Sequence, residues 1–121
     1  MNGTPLSSPV LASITFDCVD ALAVARFWSA VLQRPLPADA SSDYAQLAGD
    51  PAWSFAAVPE QKVAKNRVHV DLDVDDLPGT VDRLMLLGAT RLGDFDEQGF
   101  KWTTLADPEG NEFDIVQAHD Q

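Results

Sequence analysis

The residues best suited to chemistry lie in one short stretch, Val68 to Val74. Its valines and Leu72 alternate strictly with His69, Asp71 and Asp73. A period of two indicates a β-strand with one face against a core and the other turned elsewhere. Imidazole nitrogens and carboxylate oxygens can bind Zn²⁺, Mn²⁺ or Fe²⁺, and clustered carboxylates can act as general acids or bases. The rest of the chain must supply the elements that position this polar face.

The composition indicates a single acidic domain. The chain has 121 residues, of which 45% are hydrophobic and 22% charged, which suits one globular core. Eight basic and 19 acidic residues give a net charge of −11, which argues against nucleic acid and anionic membranes as partners. Because the sequence contains neither a long apolar span nor a signal peptide, we expect a cytoplasmic protein. Cys18, the single cysteine, lies in an apolar strand pattern that favours a buried structural thiol.

Two similar units follow a loose tail at residues 1–9 and form a single domain at 10–121, with modules at about 10–60 and 66–118. The first module is predicted to contain a strand, a helix and two strands, at Val10–Cys18, Asp20 (cap) to Leu32, Tyr44–Leu47 and Trp53–Val58. The second is predicted to contain a strand, a helix and three strands, at Val68–Val74, Asp75 or Asp76 (cap) to Gly88, Thr90–Phe95, Phe100–Ala106 and Glu112–Gln117.

The two modules match when one is shifted by about 56 residues onto the other. The shift places His69 on Ser13 and Asp76 on Asp20, so that strand meets strand and helix cap meets helix cap. Such a duplication predicts two like sheets around a shared concavity, or cup.

Three motifs carry a resemblance to a known superfamily: D-x(6)-F-W from Asp20, R-V-H-V-D-L from Arg67, and L-A-D-P-E-G-N-E-F-D-I from Leu105. Together they resemble the vicinal oxygen chelate superfamily, which includes glyoxalase I, extradiol dioxygenases, and bleomycin- and fosfomycin-resistance proteins. The connector K-V-A-K-N leading into His69 is similar to that of bacterial glyoxalase-like domains. The resemblance runs from about Ala12 to Gln117. It implies an α+β fold of two βαβββ modules that form a cupped mixed sheet, and a homodimer.

The same resemblance implies a divalent metal bound in the cup through the first and last strands of each module. In the second module these positions fall on His69 and Asp114. In the first module they fall on Ser13 and on a strand, Trp53–Val58, that contains no His, Glu, Asp or Gln. Asp71 lies roughly 7 Å along the strand from His69, so it could converge on an ion there. The resemblance therefore implies an incomplete site, with His69, Asp114 and Asp71 as candidate ligands for Zn, Mn, Ni or Fe.

Each of these residues can also be interpreted without a metal ion. His69 could instead donate a hydrogen bond to a carboxylate at the floor of the cup. Ser13, Asp17, Asp71 and Thr103 are candidates to line the cup; Thr103 is included because a hairpin that pairs Ala106 with Asn111 would place it opposite Asp114. For the aromatic residues of the strands, a place in the core is favoured over a ligand-binding wall; these residues are Trp53, Phe55, Phe100 and Trp102.

Two functions remain open from the sequence. The first is a lyase- or isomerase-type enzyme that binds a small molecule beside a weakly held metal. The alternative is a metal-free protein of the bleomycin-resistance kind that sequesters a drug or a cationic metabolite, which the acidic composition favours. Because the first module lacks metal ligands, glyoxalase I activity is not expected.

Overall fold

The computed structural model describes residues 8–118. Its helices and strands are, in order, β1 (Ser13–Cys18), α1 (Ala21–Leu32), β2 (Tyr44–Leu47), β3 (Ala52–Ala57), β4 (Asp71–Asp73), α2 (Leu77–Leu87), β5 (Thr90–Glu97), β6 (Phe100–Ala106) and β7 (Glu112–Ala118). Most of the predicted tail, residues 1–7, lies outside the described residues, as do residues 119–121. Within the described range, neither helix has the length and apolar character needed to cross a membrane.

The predicted duplication is visible in two mixed sheets. The first sheet has the order β1-β3-β2 and the second β4-β7-β6-β5. In each, the strand before the helix pairs in parallel with the last strand of its module, which in turn pairs antiparallel with the strand before it. The expected α+β architecture of two strand–helix–strand modules is therefore confirmed.

The first module differs from the βαβββ pattern by one strand. Residues 33–43, between α1 and β2, correspond to the place of β5 in the second module and form no strand. Pro35 and Pro37 lie in this segment, and proline cannot donate a hydrogen bond to a strand ladder. The first sheet accordingly ends at β2.

Both helices begin at aspartate caps. The Asp20 carboxylate accepts a hydrogen bond from the N–H of Ala23 (3.2 Å), and the Asp76 carboxylate from that of Gly79 (3.1 Å). These contacts satisfy backbone donors of the first turn. Helix α2 ends at Gly88, which has a φ of 122°. Residues with a Cβ atom rarely adopt this backbone conformation. The equivalent caps keep the two helices in equivalent places over their sheets.

One aromatic core serves both modules. The fully buried ring of Trp28 on α1 has four aromatic neighbours with centroids 4.6 to 5.7 Å away: Phe16, Phe27, Trp53 and Phe113. Phe113 belongs to β7, so the helix of the first module packs on the second sheet as well as its own. The core role favoured for Trp53 and Phe55 is confirmed, since both are buried here, but it is wrong for Phe100, which is 49% exposed.

The turn between β6 and β7 also joins the modules. The buried carboxylate of Asp107 accepts a hydrogen bond from Trp28 Nε1 (3.0 Å) and another from the N–H of Asn111 (3.0 Å). The Glu109 carboxylate accepts from the N–H groups of Val19 and Asp20, at 2.6 and 2.7 Å. This turn therefore does more than close a hairpin, because it fixes the start of α1 against the second sheet.

Cys18 is buried in this core, as predicted, and we expect it to be unreactive in the folded protein. Burial and, next, the negative charges of Glu109, Asp107 and Asp17 raise the pKa of its thiol to about 12. Because only the thiolate is alkylated, labelling by iodoacetamide at pH 8 should be roughly a hundredfold or more slower in native protein than in urea-unfolded protein. Equal rates in the two states would contradict this placement.

Candidate functional site

The polar face of the second sheet carries the candidate site. The strand register places Asp114 on β7 between Asp71 on β4 and Thr104 on β6. His69 precedes β4 by two residues and shares the face of Asp71. At this face lies a cavity of about 260 Å³, called the polar cavity below; it is lined by Lys65, His69, Leu92, Gly93, Phe95, Thr104, Glu112 and Asp114.

The structure brings together the three residues named as candidate metal ligands. His69 Nδ1 lies 3.0 Å from Asp71 Oδ1 and 3.7 Å from Asp114 Oδ2. One donor atom from each residue lies within 4.8 Å of the other two. The side chains of His69 and Asp71 are 43% and 59% exposed, whereas that of Asp114 is 17% exposed. The set is therefore anchored on β7 and open to solvent on the side of His69 and Asp71.

These donors fit a divalent metal ion. Two ligand atoms that each lie about 2.1 Å from one ion are at most about 4.2 Å apart. Side-chain rotations that move the donor atoms by less than about an ångström would therefore bring all three within reach of one ion. One nitrogen and two carboxylates match the preferences of Zn, Mn and Fe(II), and the exposed side leaves room for a further ligand. The 3.0 Å contact between His69 and Asp71 equally fits the hydrogen-bonded arrangement without metal. Both readings made from the sequence are compatible with this geometry.

Thr104, not Thr103, accompanies Asp114. The Thr104 hydroxyl donates a hydrogen bond of 2.6 Å to Asp114 Oδ1, which leaves Oδ2 as the oxygen nearer to His69. Such a second contact fixes the orientation of a carboxylate and is typical of ligating side chains. The prediction for Thr103 is wrong because the hairpin pairs Ala106 with Glu112 rather than with Asn111.

That slip of one residue reverses the face of every side chain on β6. Thr103 is consequently buried on the helix side of the sheet, where its hydroxyl donates to Asp94 (2.9 Å). There it lines a separate cavity of about 340 Å³ between α2 and the hairpin β5–β6.

The connector between the modules closes one end of the polar cavity. The Glu112 carboxylate accepts from the N–H of Asn66 (3.0 Å) and pairs with Lys62 (3.1 Å). Burial acts to raise the pKa of Glu112, but the Asn66 and Lys62 contacts outweigh it and hold the pKa below its usual value. Glu112 thus pins the connector to β7, and the connector in turn places Lys65 at the cavity.

Two predicted residues, Ser13 and Asp17, are not brought to the polar cavity within one chain. Both lie on β1, a strand of the other sheet. Although both strands are fully described, no Cα of β1 lies within 8 Å of a Cα of β4. The shared cup predicted for the two modules is therefore not formed between these strands in a single chain.

The first sheet carries a neutral counterpart of the candidate site, which the sequence reasoning missed. Its register places Ser54 between Thr15 and Gln46, as Asp114 lies between Asp71 and Thr104. Ser54 is buried, and its hydroxyl oxygen accepts hydrogen bonds from Gln46 Nε2 (3.0 Å) and the Tyr44 hydroxyl (3.3 Å). The duplication contained the signal, since Thr15 takes the place of Asp71 after the shift of about 56 residues.

Comparison with known proteins agrees with this architecture. The sequence profile of the glyoxalase-like domain family matches residues 13–116. A search of curated proteins found no significant match. Among solved structures, a glyoxalase/bleomycin resistance protein/dioxygenase family enzyme from Burkholderia phytofirmans superposes with a TM-score of 0.76 at 18% identity, covering 91% of this chain and 99% of that one.

Two fosfomycin resistance proteins are also similar in fold. FosX from Mesorhizobium loti has a TM-score of 0.71 at 15% identity and covers 93% of this chain and 94% of its own. A mutant of FosX from Listeria monocytogenes, in complex with Mn(II) and 1S,2S-dihydroxypropylphosphonic acid, has a TM-score of 0.73 at 10% identity and covers 91% and 90%. At these identities the structures indicate a shared fold alone. The profile match spans most of the chain, and the protein therefore belongs to the glyoxalase-like domain family.

Proposed function

We propose that the polar cavity binds a small molecule beside a divalent metal ion held by His69, Asp71 and Asp114, and that the protein is a lyase- or isomerase-type enzyme. The observation that carries this proposal is the convergence of three donor atoms within 4.8 Å at a cavity. The Mn(II) complex of the FosX relative supports it, since that protein shares the fold.

The residues around the cavity have separable roles under this proposal. A bound divalent ion would supply Lewis acidity toward an oxygen atom of the ligand. Thr104 would hold the Asp114 carboxylate in one orientation, and the ammonium of Lys65 would favour an anionic or electron-rich group. Glu112 is engaged by Lys62 and Asn66, so we assign it to holding the connector rather than to proton transfer.

A thermal-shift experiment tests this proposal. An ion that binds only the folded state stabilises it, by about 2.7 kcal/mol at a concentration 100-fold above Kd. For a domain of this size we expect Tm to rise by roughly 10 °C when chelator-treated protein receives saturating Mn²⁺, Zn²⁺, Ni²⁺ or Fe²⁺. If none of these ions raises Tm, the metal-dependent proposal fails.

The metal-free alternative is also supported by a specific observation. Asp114 and Glu112 line the polar cavity and Asp71 adjoins it, in a chain with a net charge of −11. Negative potential in a cleft concentrates cations. In this alternative the cavity sequesters a cationic metabolite or drug, and His69 and Asp71 form its hydrogen-bonded floor.

We further propose that the protein is a homodimer. β1 and β4 are both edge strands, each with one side unpaired among the described strands. Exposed apolar side chains precede both edges, at Val10 and Leu11 before β1 and at Val68 before β4. A second copy whose β1 lies beside β4 would cover these side chains and bring Ser13 and Asp17 toward the polar cavity.

Sedimentation velocity provides the test of this assembly. We expect a dimer for the wild type and a shift toward monomer for Val68→Asp, because a charge at the covered edge is costly to bury. Leu86→Asp on the exposed surface of α2 is the matched control and should remain dimeric. A monomeric wild type would contradict the proposal.

A further inference from the structure

The edge strand β5 contains a β-bulge at the polar cavity. Arg91 pairs with Leu105 and Gly93 with Thr104, so Leu92 is an extra residue without a partner in the described hairpin. A bulge of this kind places two residues of one strand opposite one residue of its neighbour. Leu92 and Gly93 therefore both lie at the level of Thr104, whose hydroxyl holds Asp114.

The bulge also determines which face the rest of β5 presents. Beyond it, Asp94 pairs with Thr103 on the helix side, and Phe95 pairs with Trp102. Without the extra residue every later side chain of β5 would change face, which would place Asp94 at the cavity and turn Phe95 away. The hydrogen bonds that the Asp94 carboxylate accepts from Thr103 (2.9 Å) and Arg91 (2.7 Å) hold this register.

Leu92 and Phe95 consequently form an apolar wall of the polar cavity, which His69 and Asp114 also line. The Phe95 ring lies close to the backbone of Gly93, where a Cβ atom would stand 3.3 Å from Cε2 and Cζ of the ring. The ring also stacks on Trp102, with 5.1 Å between centroids and an angle of 17° between the planes. Leu92 and Phe95 are nevertheless 54% and 43% exposed, so both retain apolar surface that a ligand can cover.

We propose that Leu92 and Phe95 form a specificity subsite that selects ligands carrying an aromatic or bulky alkyl group next to the polar group that meets His69, Asp71 and Asp114. This inference rests on the proposed function of the polar cavity as a ligand site. The apolar wall lies on the edge strand β5, whereas the polar residues lie on β7 and on or just before β4 of the same sheet. A ligand must therefore be amphipathic to contact both. Truncating a contacting side chain in such a pocket typically costs about tenfold or more in affinity.

The test compares two hydroxamates on Mn²⁺-loaded protein. Acetohydroxamate and benzohydroxamate offer the same pair of metal-binding oxygens and differ in a methyl against a phenyl group. We expect the wild type to bind the phenyl compound at least about tenfold more tightly, and Leu92→Ala to abolish most of that preference. Leu86→Ala, an exposed leucine on α2, should keep the wild-type ratio. Circular dichroism of each variant verifies folding.

A second pair of ligands separates failure of the subsite from failure of the metal site. If Mn²⁺ does not bind, the same comparison is made on metal-free protein with tetramethylammonium and benzyltrimethylammonium, which suit the acidic cavity. A preference for the ring that Leu92→Ala removes supports the subsite in either case. The subsite is overturned if neither pair shows a preference for the ring, or if the preference persists unchanged in Leu92→Ala.

Discussion

Replacing Asp107 with alanine is expected to lower the free energy of unfolding by at least about 3 kcal/mol, with a fall in Tm of roughly 10 °C or more. Asp107 is 2% exposed, and its carboxylate accepts hydrogen bonds from the Trp28 indole and from the backbone and side chain of Asn111. Without it these buried donors lose their partner, and each unsatisfied donor costs about 1–3 kcal/mol. Urea unfolding of wild type and variant measures the difference.

Two variants make the interpretation of that loss specific. Asp39→Ala removes an exposed aspartate from the loop before β2 and should change stability by less than about 0.5 kcal/mol. Trp28→Phe retains an aromatic ring but removes the Nε1 donor, so its effect and that of Asp107→Ala should be markedly non-additive. Additive effects, or a near-neutral Asp107→Ala, would show that the turn does not join the modules as described.

Replacing His69 with alanine is expected to abolish the rise in Tm that metal produces in the wild type. His69 provides the nitrogen of the donor set, and its removal leaves only Asp71 and Asp114. Changes to groups that merely orient a ligand cost about 10- to 100-fold in metal affinity, so loss of a ligand should exceed that range. Asp114→Asn should behave similarly, because an amide oxygen carries no charge to attract the ion.

The matched control is Asp73, which lies on β4 with Asp71. Asp73→Asn removes an equal charge two residues from Asp71 but outside the donor set, so it should keep the metal-dependent rise in Tm. Thr104→Val should give an intermediate loss of about tenfold in affinity, since it removes the hydrogen bond to Asp114 but no ligand. If Asp73→Asn and His69→Ala had equal effects, binding would reflect the overall negative charge rather than the proposed site.

The fold was largely predictable because local patterns and tertiary packing agree. The alternation of β1, β6 and β7, the caps at Asp20 and Asp76, and the positive φ of Gly88 at the end of α2 all have local causes in the sequence. The pairing of His69 with Asp114 was predictable from the resemblance to the superfamily, and Asp71 from its spacing along the strand. These features depend on neighbours in sequence or on a motif, which a single chain displays directly.

The errors arose where one residue of register or the arrangement of whole modules decides the outcome. Thr103 was assigned to the polar face because the turn after Ala106 was taken as one residue shorter than it is, and the period of two along a strand turns that small error into the opposite face. Ser13 and Asp17 were predicted to line one cup with His69, but β1 and β4 do not meet within one chain, because a sequence repeat fixes the likeness of two modules and not their contact. Gly93 within a strand pattern did signal a bulge, which the sequence reasoning did not use.

Counting the metal ions bound per chain tests the central claim most directly. Protein stripped with chelator is dialysed against Mn²⁺, freed of loose ions and measured by mass spectrometry of the metal, alongside the Asp71→Asn/Asp114→Asn double variant. The donor set of His69, Asp71 and Asp114 predicts one ion per wild-type chain and a content near the buffer blank in the double variant. A wild-type content at the blank, or equal contents in the two proteins, would contradict it.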